Sequence, residues 1–213
     1  MQLAVKGLLF DNDGVLVSSL NTVEEAWGKW SEKYAPGFAI GYSFHGRPAR
    51  EIVAELVSQE LFEVANAEIN DLEVQLAHRT KPTPGAIQLV SSLDENTWAV
   101  VTGAHHELGY ARLMAAGIPE PKVLVTVDDV QRGKPDPESY ALASQRLGID
   151  ISECLVFEDA PSGVMAGRAA GAKYVVGVGS EVIESEADLV ISSLVGITFI
   201  DGELSIPEQN RLR

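Results

Sequence analysis

The sequence predicts an α/β protein: a doubly wound parallel sheet with a small α-helical domain inserted after its first strand. Three observations lead there. Short apolar runs rich in Val, Leu and Phe recur at 4–10, 98–102, 122–126, 154–158, 173–178 and 187–191. Each is nearly continuous rather than alternating, as strands buried on both faces of a parallel sheet should be. Helical patterns separate most of them, and the stretch from 11 to 97 is far too long for a single crossover.

The elements follow in order. "AVKGLLF" (4–10) reads as the first strand and stops at Asp11. In "NTVEEAWGKWSEKY" (21–34), Val23, Ala26, Trp27, Trp30 and Tyr34 fall near one helical face. "PAREIVAELV" and the acidic stretch 60–79 also read as helices, with no strong strand between them. A helical cap domain over 18–81 is therefore expected, with Trp27 and Trp30 packing its interior. The core domain is then 1–17 and 82–213, and "SSLN" and "KPTPG" are the hinges. Thr83 and Pro84 open the helix "PGAIQLVSSL", and Gly117 closes the one through "ARLMAA". Asp136 caps a helix with Pro137 at its first position, and Gly148 ends it. The closing "IPEQNRLR" reads as polar and frayed.

Composition narrows the function. The chain has 213 residues, 46% hydrophobic and 22% charged, an ordinary globular balance. A net charge of −15 disfavours nucleic acid and anionic membranes as partners. No apolar run approaches the ~20 residues of a membrane span. The N-terminal apolar segment is shorter than the ~7–15 residues of a signal peptide, so a cytoplasmic protein is expected. The single cysteine, Cys154, lies among apolar residues and reads as a buried small side chain. A monomer or weak dimer is the expected assembly.

The polar residues cluster where strands end. Asp11 and Asp13 follow the first strand, Thr102 and Gly103 the second, Lys134 the third, and Glu158 and Asp159 the fourth. Ligands of open α/β sheets bind beyond those carboxyl ends. Four carboxylates at one point call for a hard cation, and Mg²⁺ prefers oxygen ligands, waters and a substrate phosphate. A phosphate would satisfy the metal, Lys134, Thr102 and backbone N–H groups, with Gly14 and Gly103 permitting close approach. One of the first two carboxylates can attack phosphorus while the other exchanges protons.

These motifs resemble the haloacid dehalogenase superfamily of phosphatases, in its β-phosphoglucomutase-like and sugar-phosphatase branch. "FDNDGVLV" is similar to the family's D-x-D-G-[TV] signature, Thr102 to its second motif, "GKPDP" to its lysine motif, and "FEDAPSGVMAGRAAG" to its acidic metal motif. The resemblance covers essentially the whole chain, with a helical C1 cap on a Rossmann-like core. It implies Asp11 as the nucleophile forming an aspartyl-phosphate. It implies Asp13 as general acid and base, also giving its backbone carbonyl to Mg²⁺. Thr102 would hold a phosphoryl oxygen, Lys134 would neutralise charge beside Asp11, and Asp159 would bind the metal, with Glu158 on the metal or its waters. Gly103 and Ala104 would offer backbone N–H groups to phosphate.

In related caps the loop before the second helix reads the substrate. Here it is "FHGRPAR", giving His45, Gly46, Arg47 and Arg50 as substrate contacts. His105 and His106 open a helix, where histidines are common without contacting a ligand, and Asp136 is a capping residue rather than a site residue. Residue 12 is Asn where the family often has an apolar residue, and residue 103 is Gly where Ser or Asn is common. The implied activity is Mg²⁺-dependent hydrolysis of small phosphorylated metabolites, sugar or polyol phosphates foremost. A phosphomutase is disfavoured because residue 23 is Val where those enzymes typically carry a histidine. Phosphoglycolate or nucleotide phosphatase and a catalytically silent binding protein stay open as alternatives.

Overall fold

A computed structural model describes residues 1–41, 44 and 47–213. In chain order its elements are β1 (Gln2–Ala4), β2 (Gly7–Asp11), β3 (Val17–Ser18), α1 (Leu20–Tyr34), α2 (Ala49–Leu56), α3 (Phe62–Leu76) and β4 (Lys81–Pro82). There follow α4 (Ala86–Val90), β5 (Trp98–Val101), α5 (His106–Ala115), β6 (Leu124–Val125), α6 (Glu138–Leu147), β7 (Cys154–Glu158) and α7 (Pro161–Ala170). The chain closes with β8 (Tyr174–Val178), β9 (Leu189–Ile191), β10 (Thr198–Ile200) and β11 (Glu203–Ser205).

Six strands form one parallel sheet in the order β6-β5-β2-β7-β8-β9. Its continuous apolar runs are explained by packing on both faces. In β2, Leu8 and Phe10 join Val100 and Phe157 beneath α4, whereas Leu9 joins Val101 and Val156 against Tyr140 of α6 and Val164 of α7. Phe10 stacks on Phe157 at 5.0 Å between ring centroids. Burying such side chains fully contributes about 1.5–3 kcal/mol each. Cys154 sits in the same core, its thiol pushed up to about 12 by burial.

The long stretch after β2 is the helical insertion. Its helices α1, α2 and α3 share a separate apolar centre of Trp27, Trp30, Ile52, Val53, Ala65 and Ile69. Trp27 and Trp30 meet edge to face at 5.2 Å, and the Trp30 indole donates to the Ala65 carbonyl at 2.8 Å. The two connections to the core run side by side, because β3 and β4 pair antiparallel, Val17 with Pro82 and Ser18 with Lys81. Among the described residues no helix is long and apolar enough to cross a membrane.

Gly148 ends α6 as expected, in the left-handed region at φ +73°; at the other end Pro137 is the N-cap, one residue later than expected, and the Asp136 carboxylate still accepts from the Glu138 N–H at 3.1 Å. Other expectations are corrected. The first expected strand divides: Gly7–Asp11 enters the main sheet, while Gln2–Ala4 pairs with β11 in a small antiparallel sheet with β10. The final segment is not frayed. Asn210 is buried and donates to the carbonyls of Ser193 and Val195, and the Leu212 N–H donates to Val190. Its polar residues serve backbone groups at the sheet edge, which composition does not reveal.

Candidate active site

From β2 the chain passes outward through β5 and β6, then returns to β7 on the opposite side of β2. Such a reversal leaves a crevice beyond the strands' carboxyl ends. Register aligns the ends: Asp11 pairs with Val101, and Phe10 with Phe157. Asp11, Thr102 and Glu158 therefore leave the sheet side by side.

Lys134 lies between two of these carboxylates. Its ammonium contacts Asp11 Oδ1 and donates to Glu158 Oε1 at 2.6 Å, in a position only 4% exposed. Burial works against the charged lysine, but Asp11 and Glu158 outweigh it and raise its pKa. Glu158 is held from every side: the Tyr140 hydroxyl donates to Oε1 at 2.6 Å, and the N–H groups of Asp159 and Ala160 donate to Oε2 at 3.1 and 3.3 Å.

Asp11, Glu158 and Asp159 each offer a carboxylate oxygen within 4.8 Å of the others. Burial raises the Asp11 pKa well above the ordinary carboxylate range; Lys134 opposes this, while Glu158 and Asp13 reinforce it. Asp159 is raised likewise by burial, then by Asp11 and Glu158. Lys134 thus leaves negative charge uncompensated, and an all-oxygen donor set of this kind fits a hard divalent cation. Two glycines make room for the trio. A Cβ at Gly14 would lie 2.0 Å from Asp159 Oδ2, and φ there is +83°. One at Gly163 would lie 1.7 Å from Glu158 Oε1.

Asp13 stands apart from the trio, beside the insertion. Its Oδ1 accepts from the Ser19 hydroxyl at 2.5 Å, and Arg112 Nη1 lies 3.1 Å away. Thr102 is buried, and its hydroxyl accepts from the Ala104 N–H at 3.1 Å. Helix α5 is capped by His105, whose Nδ1 accepts from the Leu108 N–H at 3.4 Å. Burial lowers the His105 pKa. His106 turns away and stacks on Tyr110. Asn12 is wholly buried, with neither amide atom partnered among the described residues.

A cavity of about 430 Å³ lies between the sheet end and the insertion. Asp11, Asp13, Asp159, Gly103 and Ala104 line it from the core, and Arg47 and Arg50 from the insertion. Thr102, Lys134 and Glu158 are buried behind that wall. Arg47 is paired with Glu55 at 2.5 Å, while Arg50 is mostly exposed, 3.9 Å from Glu63. His45 and Gly46 lie outside the described residues.

Sequence reasoning missed Ser19, Asn66, Asn70, Glu73, Arg112 and Tyr140 in this region. Two carried a readable signal. Ala65, Ile69 and Glu73 are the buried positions of α3, and Arg112 follows buried Leu108 by four on α5. A charge on an apolar helical stripe announces a buried partner.

Comparison with known proteins agrees with this architecture. A family model of haloacid dehalogenase-like hydrolases matches residues 5–171, and the chain belongs to that family. It is 40% identical to hexitol phosphatase A of Escherichia coli over 203 residues, covering 91% of this chain and 93% of that protein. Identity to validoxylamine A 7'-phosphate phosphatase of Streptomyces hygroscopicus is 32%, over 90% of this chain and 95% of that one. Among solved structures, β-phosphoglucomutase from Clostridium difficile shares the fold with a TM-score of 0.78 at 23% identity, covering 89% of this chain and 92% of that one.

Proposed function

We propose that the chain is a Mg²⁺-dependent phosphomonoester hydrolase acting on small sugar or polyol phosphates. The observation that carries this reading is Asp11: a buried carboxylate on a cavity wall, paired with Lys134 and grouped with Glu158 and Asp159. The phosphatase relatives at 40% and 32% identity support the same activity.

In this reading Asp11 attacks phosphorus, the P–O ester bond breaks, and Asp13 gives the leaving alkoxide a proton. Asp13 then takes a proton from water as that water attacks the aspartyl-phosphate, releasing inorganic phosphate and restoring Asp11. Lys134 holds the Asp11 carboxylate and offsets charge on the transferring group. The Thr102 hydroxyl and the backbone N–H groups of Gly103 and Ala104 would bond the phosphoryl oxygens, Ala104 exchanging its Thr102 acceptor for phosphate. Asp11, Asp159 and the Asp13 carbonyl would hold Mg²⁺, with Glu158 on it or its waters. The ion supplies positive charge to the phosphoryl oxygens. Glu158's many donors favour the indirect role.

Residues 1–17 and 82–213 act as the core and 18–81 as the cap. The cavity supports a polyhydroxylated substrate. Trp27, Ile40 and Phe44 offer apolar surface, and Asn66, Asn70 and His105 offer polar groups. Asn66 Oδ1 and His105 Nε2 are buried without a partner among the described residues, so substrate hydroxyls have groups to bond. Arg47 and Arg50 serve the far end of the substrate. A monomer or weak dimer is part of this reading, and the single, buried Cys154 fits a reducing, cytoplasmic compartment.

The test is phosphate release from hexose, hexitol, pentose and glycerol phosphates, phosphoglycolate and nucleotides, with and without Mg²⁺. Release that needs Mg²⁺ and disappears in Asp11→Asn is expected. Isomerisation of β-glucose 1-phosphate without release would replace the hydrolase by a mutase. Silence on both would refute an enzymatic role.

A further inference from the structure

Arg112 belongs to the core helix α5, yet it is 4% exposed and joins two carboxylates from different parts of the chain. Its Nη1 lies 3.1 Å from Asp13 Oδ1, and its Nη2 donates to Glu73 Oε1 at 3.0 Å. Glu73 comes from α3 of the helical insertion and is itself 6% exposed. The Ser19 hydroxyl, at the start of α1, bonds the same Asp13 oxygen.

A guanidinium presents its donors in one rigid plane, so fixing one edge of the fork fixes the other. Burial of both Arg112 and Glu73 makes their pairing costly to abandon, because a lone buried charge loses several kcal/mol of solvation; Asp13 is partly exposed and is held by the arginine's other edge. Asp13 has a short side chain, and two donors on Oδ1 settle its rotamer. Proton transfer is then left to Oδ2.

We propose that Arg112 is a positioning residue for Asp13 and that Glu73 of the insertion sets Arg112 in place, so that seating of the insertion and orientation of the Asp13 carboxylate are one event. The inference rests on the reading of Asp13 as proton donor to the leaving group. It assigns α3 a part in the chemistry beyond enclosing the substrate. With the insertion displaced, Arg112 loses Glu73 and Asp13 loses the alignment both donors supply. A water entering the open cavity would then find the nucleophile without an aligned acid and base.

Glu73→Gln keeps the shape and an acceptor while removing the charge. Arg112→Lys keeps a charge but replaces the fork by a point donor. Each is assayed by kcat/KM on two substrates. One is an alkyl phosphate from the active panel, whose departing alkoxide needs a proton. The other is 4-nitrophenyl phosphate, whose departing phenolate is stable as an anion. This ratio covers the steps up to leaving-group departure, and the aryl ester reports that the variant is folded. Both variants are expected to lose about ten- to a hundredfold more on the alkyl than on the aryl ester, part of the 10²–10⁴ that a general acid contributes. Asp13→Asn provides the reference and should show the same selectivity, larger. If Asp13→Asn is selective while Glu73→Gln and Arg112→Lys lose equally on both esters, or lose nothing, the inference is overturned. If Asp13→Asn is itself unselective, the proton-donor reading fails and the inference falls with it.

Discussion

Replacing Lys134 by Met tests whether the buried charge cluster has the balance described above. The ammonium touches Asp11 and lies 2.6 Å from Glu158; Lys134 and Glu158 are buried behind the cavity wall and Asp11 is 5% exposed on it. Met has similar length and no charge, so packing is roughly preserved and the loss is electrostatic. Removing one partner of a buried ion pair typically costs about 3–5 kcal/mol. For a chain of this size each kcal/mol moves Tm by about 2–4 °C, so metal-free Lys134→Met should melt about 6–20 °C below the wild type. Two conditions should shrink the deficit. Acid should do so, because Asp11 already holds its proton above the ordinary carboxylate range and holds it more firmly once Lys134 is gone. Mg²⁺ should do so by restoring positive charge; at saturating Mg²⁺ the deficit shrinks by about 1.4 kcal/mol for each tenfold by which the variant binds the ion more tightly than the wild type. The assay is urea and thermal unfolding with and without Mg²⁺ at about pH 8 and about pH 5.5. A deficit below about 1 kcal/mol at the higher pH, or one indifferent to pH, would refute the reasoning.

Gly14→Ala forces a Cβ into the space of the Asp159 carboxylate, at a φ of +83°. It should cost more than about 1 kcal/mol and weaken Mg²⁺ binding at least about tenfold, read by denaturation and titration calorimetry; unchanged affinity would remove Asp159 from the metal site. The raised pKa values of Asp11 and Asp159 set a sign for pH dependence. The folded state keeps these protons at a pH where the unfolded chain has released them. Their contribution to stability is therefore present in acid and lost as pH rises from the ordinary carboxylate range through the raised values. Mg²⁺ displaces the same protons, so its Tm increment should grow with pH; a constant increment across that window would contradict the assignment.

Much of the site was legible because its strands are buried on both faces. A strand with no wet side is apolar throughout, so its end is marked by the first polar residue. Asp11, Thr102 and Glu158 carry that mark. The glycines were legible in type, but Gly14 and Gly163 have a reason only once Asp159 and Glu158 are seen to fill the space a Cβ would take. The short strands β3 and β4 and the small sheet of β1, β10 and β11 had no readable period, since two or three residues define none.

The link between Asp13 and the helical insertion shows where local reading ends. It is made by Arg112 and Glu73, 39 positions apart. Each occupies an apolar stripe of its own helix, which signals burial but names no partner. The sequence by itself determined the strands of the main sheet, the carboxylates at their ends and the family of the chain, because burial imprints composition locally. Only the tertiary structure decided which helix meets which, and hence that one arginine spans Asp13 and Glu73, because that choice depends on how two separately folded apolar faces pack.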